Sequence, residues 1–167
     1  MSHLVTLRGS GLSFAAAHFA TFGGDCEPLH GHNYRLTVEI AGGLTDDSWV
    51  IDFREAKTLV RSICRELDHK FLLQENSRFL RVSLVADEYE ITFGSRRYVM
   101  PKGDVAALPI DNSTAERLAE WLAARIAAAL SAAGAANLSS VRVGVEEAPG
   151  QAGWSTLESN PAAAGPD

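Results

Sequence analysis

The feature that most constrains the fold is a strict alternation of apolar and polar side chains that directly follows His30-Gly31-His32. Apolar residues occupy every second position from Tyr34 to Ile40. A β-strand points successive side chains to opposite faces, so this segment is predicted to be a strand with one buried face. The sequence AGGLTDDS at 41–48 has turn chemistry and favours an antiparallel neighbour. The chain must therefore build a sheet and cover one side of it.

Two helices, each with an apolar stripe, are predicted to provide that cover. The first follows WVIDF, where Asp52 and Glu55 have the spacing of an N-terminal capping box. The second begins at STAE, where Ser113 and Glu116 are predicted to form another capping box. Further strands are predicted at residues 3–8, 11–18, 80–100 and 139–147, the third of these as a hairpin or a three-stranded unit.

The order of these elements predicts an α+β fold. Parallel βαβ winding is disfavoured, because the early strands are too close in sequence for a crossover helix between them. With 167 residues, of which 46% are hydrophobic, the chain is expected to form one domain with its own core.

Charge and composition argue against several classes of protein. A net charge of -6, with acids and bases interspersed, argues against a nucleic-acid binder, which needs clustered Lys and Arg. No leader-like N-terminus and no apolar run near the ~18 residues of a membrane span is present, so we expect a cytoplasmic protein without a membrane partner. Cys26 and Cys64 do not resemble a secreted disulfide framework, and Cys64 lies on the apolar stripe of the first helix.

Three of the five histidines fall where strand geometry can bring them together. His30 and His32 are two positions apart on an extended segment and so point to the same side, and His18 ends a neighbouring predicted strand. Three neutral imidazoles around one zinc ion, with the fourth position open, are typical of a catalytic site. The alternative is a surface pair at 30 and 32 with His18 as a hydrogen-bonded core residue. The nearby cysteine favours the metal site.

Cys26, four residues before His30, has two possible roles. It would complete a closed Cys-His-His-His zinc site with a structural role, or its thiolate would act as a base or nucleophile if a cation or the metal lowers its pKa. The spacing of the residues is compatible with both roles.

Two acidic motifs are further candidates. In Asp68-His69 the acid can fix the tautomer of the imidazole and raise its basicity for proton transfer, although an isolated pair of this kind is more often a helix C-terminus. Strand parity points either Glu146 or Glu147 towards the core side, where a carboxylate needs a donor-rich partner such as the guanidine-like edge of a heterocycle. The alternative for both glutamates is a solvated position.

Taken in order, these segments resemble the family of 6-pyruvoyl-tetrahydropterin and 6-carboxytetrahydropterin synthases. The resemblance covers nearly the whole chain. The motifs that carry it are FAAAH, CEPLHGHNY, VIDF, LDHKFL, STAERLAEWL and VRVGVEEAPG.

The resemblance implies a role for each matching residue. Cys26 is similar to the family's general base, and Asp68 and His69 match a proton-relay pair that a neighbouring subunit contributes. Glu147, in preference to Glu146, matches the carboxylate that anchors the pterin, and Thr114 falls in the loop that lines the pterin pocket. The implied zinc ligands are His18, His30 and His32.

The implied architecture is the tunnelling fold, an antiparallel sheet with two helices packed on one face. In this family the sheets of several subunits join into a barrel, commonly in a homohexamer made of two trimers. We therefore expect one tunnelling-fold domain over residues 1–158, with a strand-rich insertion at about 75–111, and a flexible tail at 159–167.

The spacing Cys-x-x-x-His-Gly-His resembles that of the 6-carboxytetrahydropterin synthases of queuosine biosynthesis. The implied reaction is the zinc-dependent conversion of 7,8-dihydroneopterin triphosphate into 6-carboxytetrahydropterin, with release of acetaldehyde and triphosphate. Two enzymatic alternatives are a 6-pyruvoyl-tetrahydropterin synthase and a dihydroneopterin side-chain aldolase. A further alternative is a non-catalytic homologue that binds zinc or a pterin.

Overall fold

The computed structural model of the protein describes residues 1–158, and its centre is the long strand that contains the alternating segment. The predicted tail at 159–167 lies outside the described residues. In chain order the strands are β1 (His3–Leu7), β2 (Ser13–His18), β3 (Thr21–Phe22), β4 (Asp25–Cys26), β5 (His30–Gly42), β6 (Lys70–Gln74), β7 (Arg81–Val85), β8 (Glu88–Phe93), β9 (Arg96–Pro101), β10 (Val105–Leu108), β11 (Leu138–Ala148) and β12 (Gln151–Glu158), and the helices are α1 (Phe53–Leu67) and α2 (Ala115–Ala132).

Seven strands form the main sheet, in the order β10-β6-β2-β5-β11-β12, with β1 also paired to β5. Strand β5 is antiparallel to β1, β2 and β11, as expected for this fold class. Strand β6 differs, because it is parallel to both of its neighbours, β2 and β10. The sheet is therefore antiparallel through its centre and parallel at one end.

Both helices begin at side-chain caps, but the second cap is not the predicted one. Asp52 Oδ1 accepts the N–H groups of Arg54 and Glu55 at 2.6 and 3.1 Å, as the sequence predicted for α1. For α2 the cap is Thr114, whose Oγ1 accepts the N–H of Arg117 at 3.4 Å. Ser113, the predicted cap, is instead fully buried and bonded to residues far away in sequence.

The main core lies between the helices and one face of the sheet. The alternating residues of β5 are at most 2% exposed and meet apolar residues of α1 and α2 there. The predicted alternation of buried apolar side chains along β5 is thus confirmed. No helix within residues 1–158 is both long and apolar enough to cross a membrane.

A second apolar cluster lies on the other face of the sheet, at β6. Leu72 belongs to the main core, whereas its neighbours Phe71 and Leu73 belong to the second cluster, because adjacent strand residues point to opposite faces. Strands β7, β8 and β9 form a separate antiparallel sheet that covers this cluster with Tyr89 and Ile91. The predicted three-stranded unit at 80–100 is confirmed.

Candidate functional site

The sheet register brings the three predicted histidines together. Strands β2 and β5 pair His18 directly with His30, and His32 projects from the same face of β5. The ring centroids are 4.6 to 5.2 Å apart, and one ligand nitrogen from each ring lies within 4.8 Å of the others. These three residues form a cluster that could hold a metal ion.

Hydrogen bonds fix the tautomer of two of these rings. His18 Nδ1 lies 3.0 Å from the Ser113 carbonyl oxygen, and His30 Nδ1 lies 2.8 Å from that of Pro28. A carbonyl only accepts, so each Nδ1 carries the proton and each Nε2 keeps a free lone pair. The buried Nε2 of His18 has no hydrogen-bond partner among residues 1–158. A metal ion bound by the Nε2 atoms would satisfy it.

Burial favours the neutral form of two of these histidines. Burial first, and then the neighbouring His30, lowers the pKa of His18 to about 4. The same two causes, in the same order, lower the pKa of His32. Neutral imidazole is the form that binds a metal, so His18 and His32 are ready to act as ligands near pH 7.

A cavity of about 660 Å³ adjoins the histidine cluster. Besides the three histidines, its walls include Thr114, at the start of α2, and the backbone of Gly153 in β12. Three carboxylates also line it, one from each of Glu27, Glu116 and Glu147. The cavity therefore combines a nitrogen ligand set with an acidic wall.

Glu147 is the carboxylate placed best to bind a ligand in this cavity. Glu147 lies two residues after the buried Val145 on β11, so its side chain is expected on the same side of the sheet. The pairing of β11 with β12 is irregular at this point, between Glu146 and Ala148. Glu147 Oε1 is buried without a hydrogen-bond partner in the described part of the chain. Burial, followed by the charges of Glu116 and Glu27, raises the pKa of this carboxyl. The Glu146 side chain is 33% exposed, and its Oε1 lies 3.9 Å from Arg35 Nη1.

Cys26 does not join the histidines. It is 3% exposed and packs in the second apolar cluster with Phe19 and Phe71, and its Sγ donates to the carbonyl of Glu27 at 3.5 Å. The closed Cys-His-His-His site is thus not formed. Burial raises the pKa of this thiol, against the opposing effect of the Arg96 guanidinium.

Asp68 and His69 form a pair at the end of α1. His69 takes a left-handed backbone conformation, with φ of 58°, which ends the helix and turns the chain into β6. Asp68 Oδ1 accepts the N–H of Ala15 at 2.8 Å, and Oδ2 accepts from His69 Nδ1 at 3.0 Å. The His69 side chain is 82% exposed and lines a different cavity, which meets the histidine cluster at His32.

Sequence reasoning missed several residues of the site, among them Glu27 and Ser113. Glu27 lines the cavity, and its Oε2 accepts the N–H of Ala20 at 3.1 Å. Its position between Cys26 and the histidines was the available signal. Ser113 had no such signal, because the pattern STAE also fits a helix cap. Its hydroxyl donates to the carbonyl of Phe19 at 2.9 Å and lies 3.2 Å from His18 Nδ1.

Comparisons with known proteins agree on one family. The family model described as 6-pyruvoyl tetrahydropterin synthase matches residues 10–156. A Methanocaldococcus jannaschii protein named "Putative 6-carboxy-5,6,7,8-tetrahydropterin synthase" is 35% identical over 143 residues, covering 85% of this chain and 88% of that protein. A dihydroneopterin monophosphate aldolase from Pyrococcus furiosus is 38% identical over 60 residues, covering 36% of this chain and 51% of that protein.

Solved structures show the same architecture. The crystal structure of 6-pyruvoyl tetrahydropterin synthase from Plasmodium vivax superposes with a TM-score of 0.88 at 30% identity, covering 95% of this chain and 99% of that chain. Two further structures of that protein carry alanine or cysteine in place of a glutamate described as a catalytic residue. The tunnelling fold and the family match over most of the sequence show that the chain belongs to the 6-pyruvoyl tetrahydropterin synthase family.

Proposed function

We propose that the protein is a zinc-dependent 6-carboxy-5,6,7,8-tetrahydropterin synthase, a lyase of pterin metabolism. It would act on 7,8-dihydroneopterin triphosphate and release acetaldehyde and triphosphate. The observation that carries the proposal is the cavity that Glu147 shares with the three-histidine cluster, where Glu147 Oε1 is buried without a hydrogen-bond partner among residues 1–158. The name of the M. jannaschii relative and the Cys-x-x-x-His-Gly-His spacing support this product.

Zinc suits the ligand set of His18, His30 and His32. Three neutral nitrogen ligands with an open fourth position are typical of catalytic zinc, and the hydrogen bonds of His18 and His30 orient their rings for it. When bound, zinc would act as a Lewis acid on the oxygens of the substrate side chain and so acidify the adjacent C–H positions.

The acidic wall would bind and orient the pterin ring. The free acceptor of Glu147 suits the 2-amino group and the neighbouring ring N–H, which present two donors side by side. The Thr114 hydroxyl accepts from the backbone of α2, so its proton remains to be donated to an acceptor on the ring. These contacts would hold the substrate side chain at the histidine cluster.

Proton transfer would involve Cys26 as general base and His69 held by Asp68. The exposed His69 side chain supports a role at a neighbouring subunit's cavity, within a homo-oligomeric barrel such as a hexamer of two trimers. In that arrangement Asp68 fixes the tautomer of His69, because its carboxylate accepts the Nδ1 proton and leaves Nε2 to exchange a proton with the substrate.

Glu27 supports a second candidate function, cleavage of the dihydroneopterin side chain by an aldolase. Its carboxylate lines the cavity beside the histidines, whereas Cys26 is buried in the apolar cluster behind it. The P. furiosus relative, which is named an aldolase, gives this interpretation support. A 6-pyruvoyl-tetrahydropterin synthase, the activity named for the P. vivax protein, is the remaining enzymatic alternative.

Product analysis by mass spectrometry would separate these candidates. Zinc-loaded protein is incubated with 7,8-dihydroneopterin triphosphate, and 6-carboxytetrahydropterin with acetaldehyde is the expected result. Triphosphate release without acetaldehyde would indicate the pyruvoyl-forming reaction, and a two-carbon aldehyde carrying the phosphates would indicate the aldolase. Pterin binding without turnover would indicate a non-catalytic binding protein.

Variants of the two candidate bases complete the experiment. Cys26→Ala should abolish formation of 6-carboxytetrahydropterin, and Glu27→Gln should abolish any aldol cleavage. A Cys26→Ala protein with full synthase activity would exclude the thiol as the base.

A further inference from the structure

The three-stranded sheet of β7, β8 and β9 packs directly behind the segment that carries the candidate bases. Ile91 is fully buried in the second apolar cluster together with Cys26 and Phe19. The Tyr98 ring lies 5.3 Å from that of Phe19, between centroids. This small sheet thus contributes apolar side chains to the cluster that contains Cys26.

One side chain of this sheet forms a polar connection to the same segment. Arg96, the first residue of β9, donates from Nη1 to the carbonyl of Cys26 at 2.6 Å and to that of Glu27 at 3.0 Å. Its neighbour Arg97 instead pairs with Glu90 of the adjacent strand at 2.7 Å. Adjacent strand residues point to opposite faces, which explains why only one of the two arginines reaches the site.

Holding two successive carbonyls fixes the backbone of both residues. Cys26 then lies in the apolar cluster, and Glu27 lies in the cavity with its Oε2 on the N–H of Ala20. Rotation of the peptide between the two residues would break at least one of the bonds to Arg96. Hydrogen bonds from a charged donor are the stronger ones, so they resist such a rotation.

We propose that Arg96 is a positioning residue, which holds the backbone of Cys26 and Glu27 so that their side chains keep the orientation needed for proton transfer. This inference rests on the proposed function for its kinetic consequence. Its structural consequence, a backbone held in place by β9, can be measured in the protein without substrate.

Arg96→Ala, Arg96→Lys and the matched control Arg97→Ala test the proposal. Hydrogen exchange of the backbone amides in residues 20–29 is measured in the zinc-loaded proteins. We expect exchange there to become about 10-fold faster in Arg96→Ala, since loss of hydrogen bonds from a charged donor makes local opening easier, and a factor of ten corresponds to about 1.4 kcal/mol. Arg97→Ala should leave it unchanged, because Arg97 pairs with Glu90 of its own sheet.

Kinetics provide the second readout. With 7,8-dihydroneopterin triphosphate, Arg96→Ala should lower kcat about 10- to 100-fold and change KM by no more than about twofold. The reason is that misplaced proton-transfer groups slow the reaction but have little effect on binding of the pterin ring. Arg96→Lys should recover part of the loss, since an ammonium group can still donate to a carbonyl.

The proposal would be overturned if hydrogen exchange and kcat were both unchanged in Arg96→Ala. It would also be overturned if Arg97→Ala lowered kcat as much as Arg96→Ala does. If the wild-type protein converts no pterin, the proposed function fails, and the exchange measurement still decides whether Arg96 holds this backbone.

Discussion

Buried polar atoms without partners gather at the histidine cavity. His18 Nε2 and Glu147 Oε1 are two such atoms within residues 1–158, and both residues line the cavity. A buried polar atom that lacks a hydrogen bond costs roughly 1–3 kcal/mol of stability. Metal and substrate would remove this cost at these two atoms, so the site is destabilised until it is filled. Substitution of a residue at such a site should therefore raise the stability of the protein and lower its function.

Glu147→Gln tests this opposition. Burial and the neighbouring charges of Glu116 and Glu27 raise the folded-state pKa of Glu147 above the ordinary value of 4.5. Below pH 4.5 the carboxyl is protonated in both folded and unfolded protein, so the shift has no cost. Above the folded pKa the ionised form is disfavoured only in the folded state, and stability is lost. Gln carries no charge, so the variant should be more stable than wild type at pH 7.

Urea denaturation at pH 7 and at pH 4 measures this effect. The gain in the free energy of unfolding at pH 7 should disappear at pH 4, while pterin binding falls at pH 7. A variant that is less stable than wild type at pH 7 would show that ionised Glu147 does not destabilise the folded protein.

Ser113→Ala addresses the support of the metal ligands. The Ser113 hydroxyl lies 3.2 Å from His18 Nδ1, and the carbonyl of the same residue remains in the variant as a partner for this ring. Loss of one of the two contacts should weaken zinc binding about 10-fold, the low end for residues that support a ligand. Competition with a chromophoric chelator measures the affinity, and Ser131→Ala on the exposed side of α2 is the control. Equal affinities for all three proteins would contradict this supporting role.

At the scale of elements, periodicity predicted some strands and missed others for a physical reason. Strand β5 has one face in the main core, so its alternation was visible in the sequence. Strand β6 is buried on both faces, and its apolar run Phe71-Leu72-Leu73 shows no period. Neither β10 nor β12 was predicted, because Val105–Leu108 is short and Gln151–Glu158 lies largely exposed at an edge.

The same reasoning explains what could be predicted of the site. His18, His30 and His32 converge through strand parity and register, which are local properties. The bond from His18 to Ser113 joins residues 95 positions apart and follows from how α2 packs on the sheet. No sequence period encodes such a contact.

Ile91→Ala tests how firmly the three-stranded sheet is attached. Ile91 is 0% exposed and lies in the cluster between the two sheets, so truncation should cost about 2–4 kcal/mol through lost burial and a cavity. Val99→Ala in β9, which is 42% exposed, should change stability by less than about 0.5 kcal/mol. Urea denaturation measures both, and similar values for the two variants would show that the cluster contributes little.

For the whole molecule, one chain holds the proposed catalytic groups in two cavities, both of which His32 lines. The histidine cluster and Glu147 share one cavity, whereas His69 lines another and is highly exposed. A proton-transfer group needs to lie within hydrogen-bond reach of its substrate. The proposed barrel of joined subunits would meet this need by bringing His69 of one chain to the cavity of the next.

Mixed oligomers test the sharing of sites between chains. His30→Ala damages the ligand cluster and His69→Ala the relay, so each variant alone should be inactive. In randomly mixed oligomers about a quarter of the sites would combine an intact cluster from one chain with an intact His69 from its neighbour. Co-expression should therefore recover roughly this fraction of wild-type activity per chain. A mixture of His30→Ala with His32→Ala is the control, because both chains then lack an intact cluster and no site can recover. If the first mixture stays inactive although mass spectrometry shows mixed oligomers, His69 acts within its own chain and the shared site is excluded.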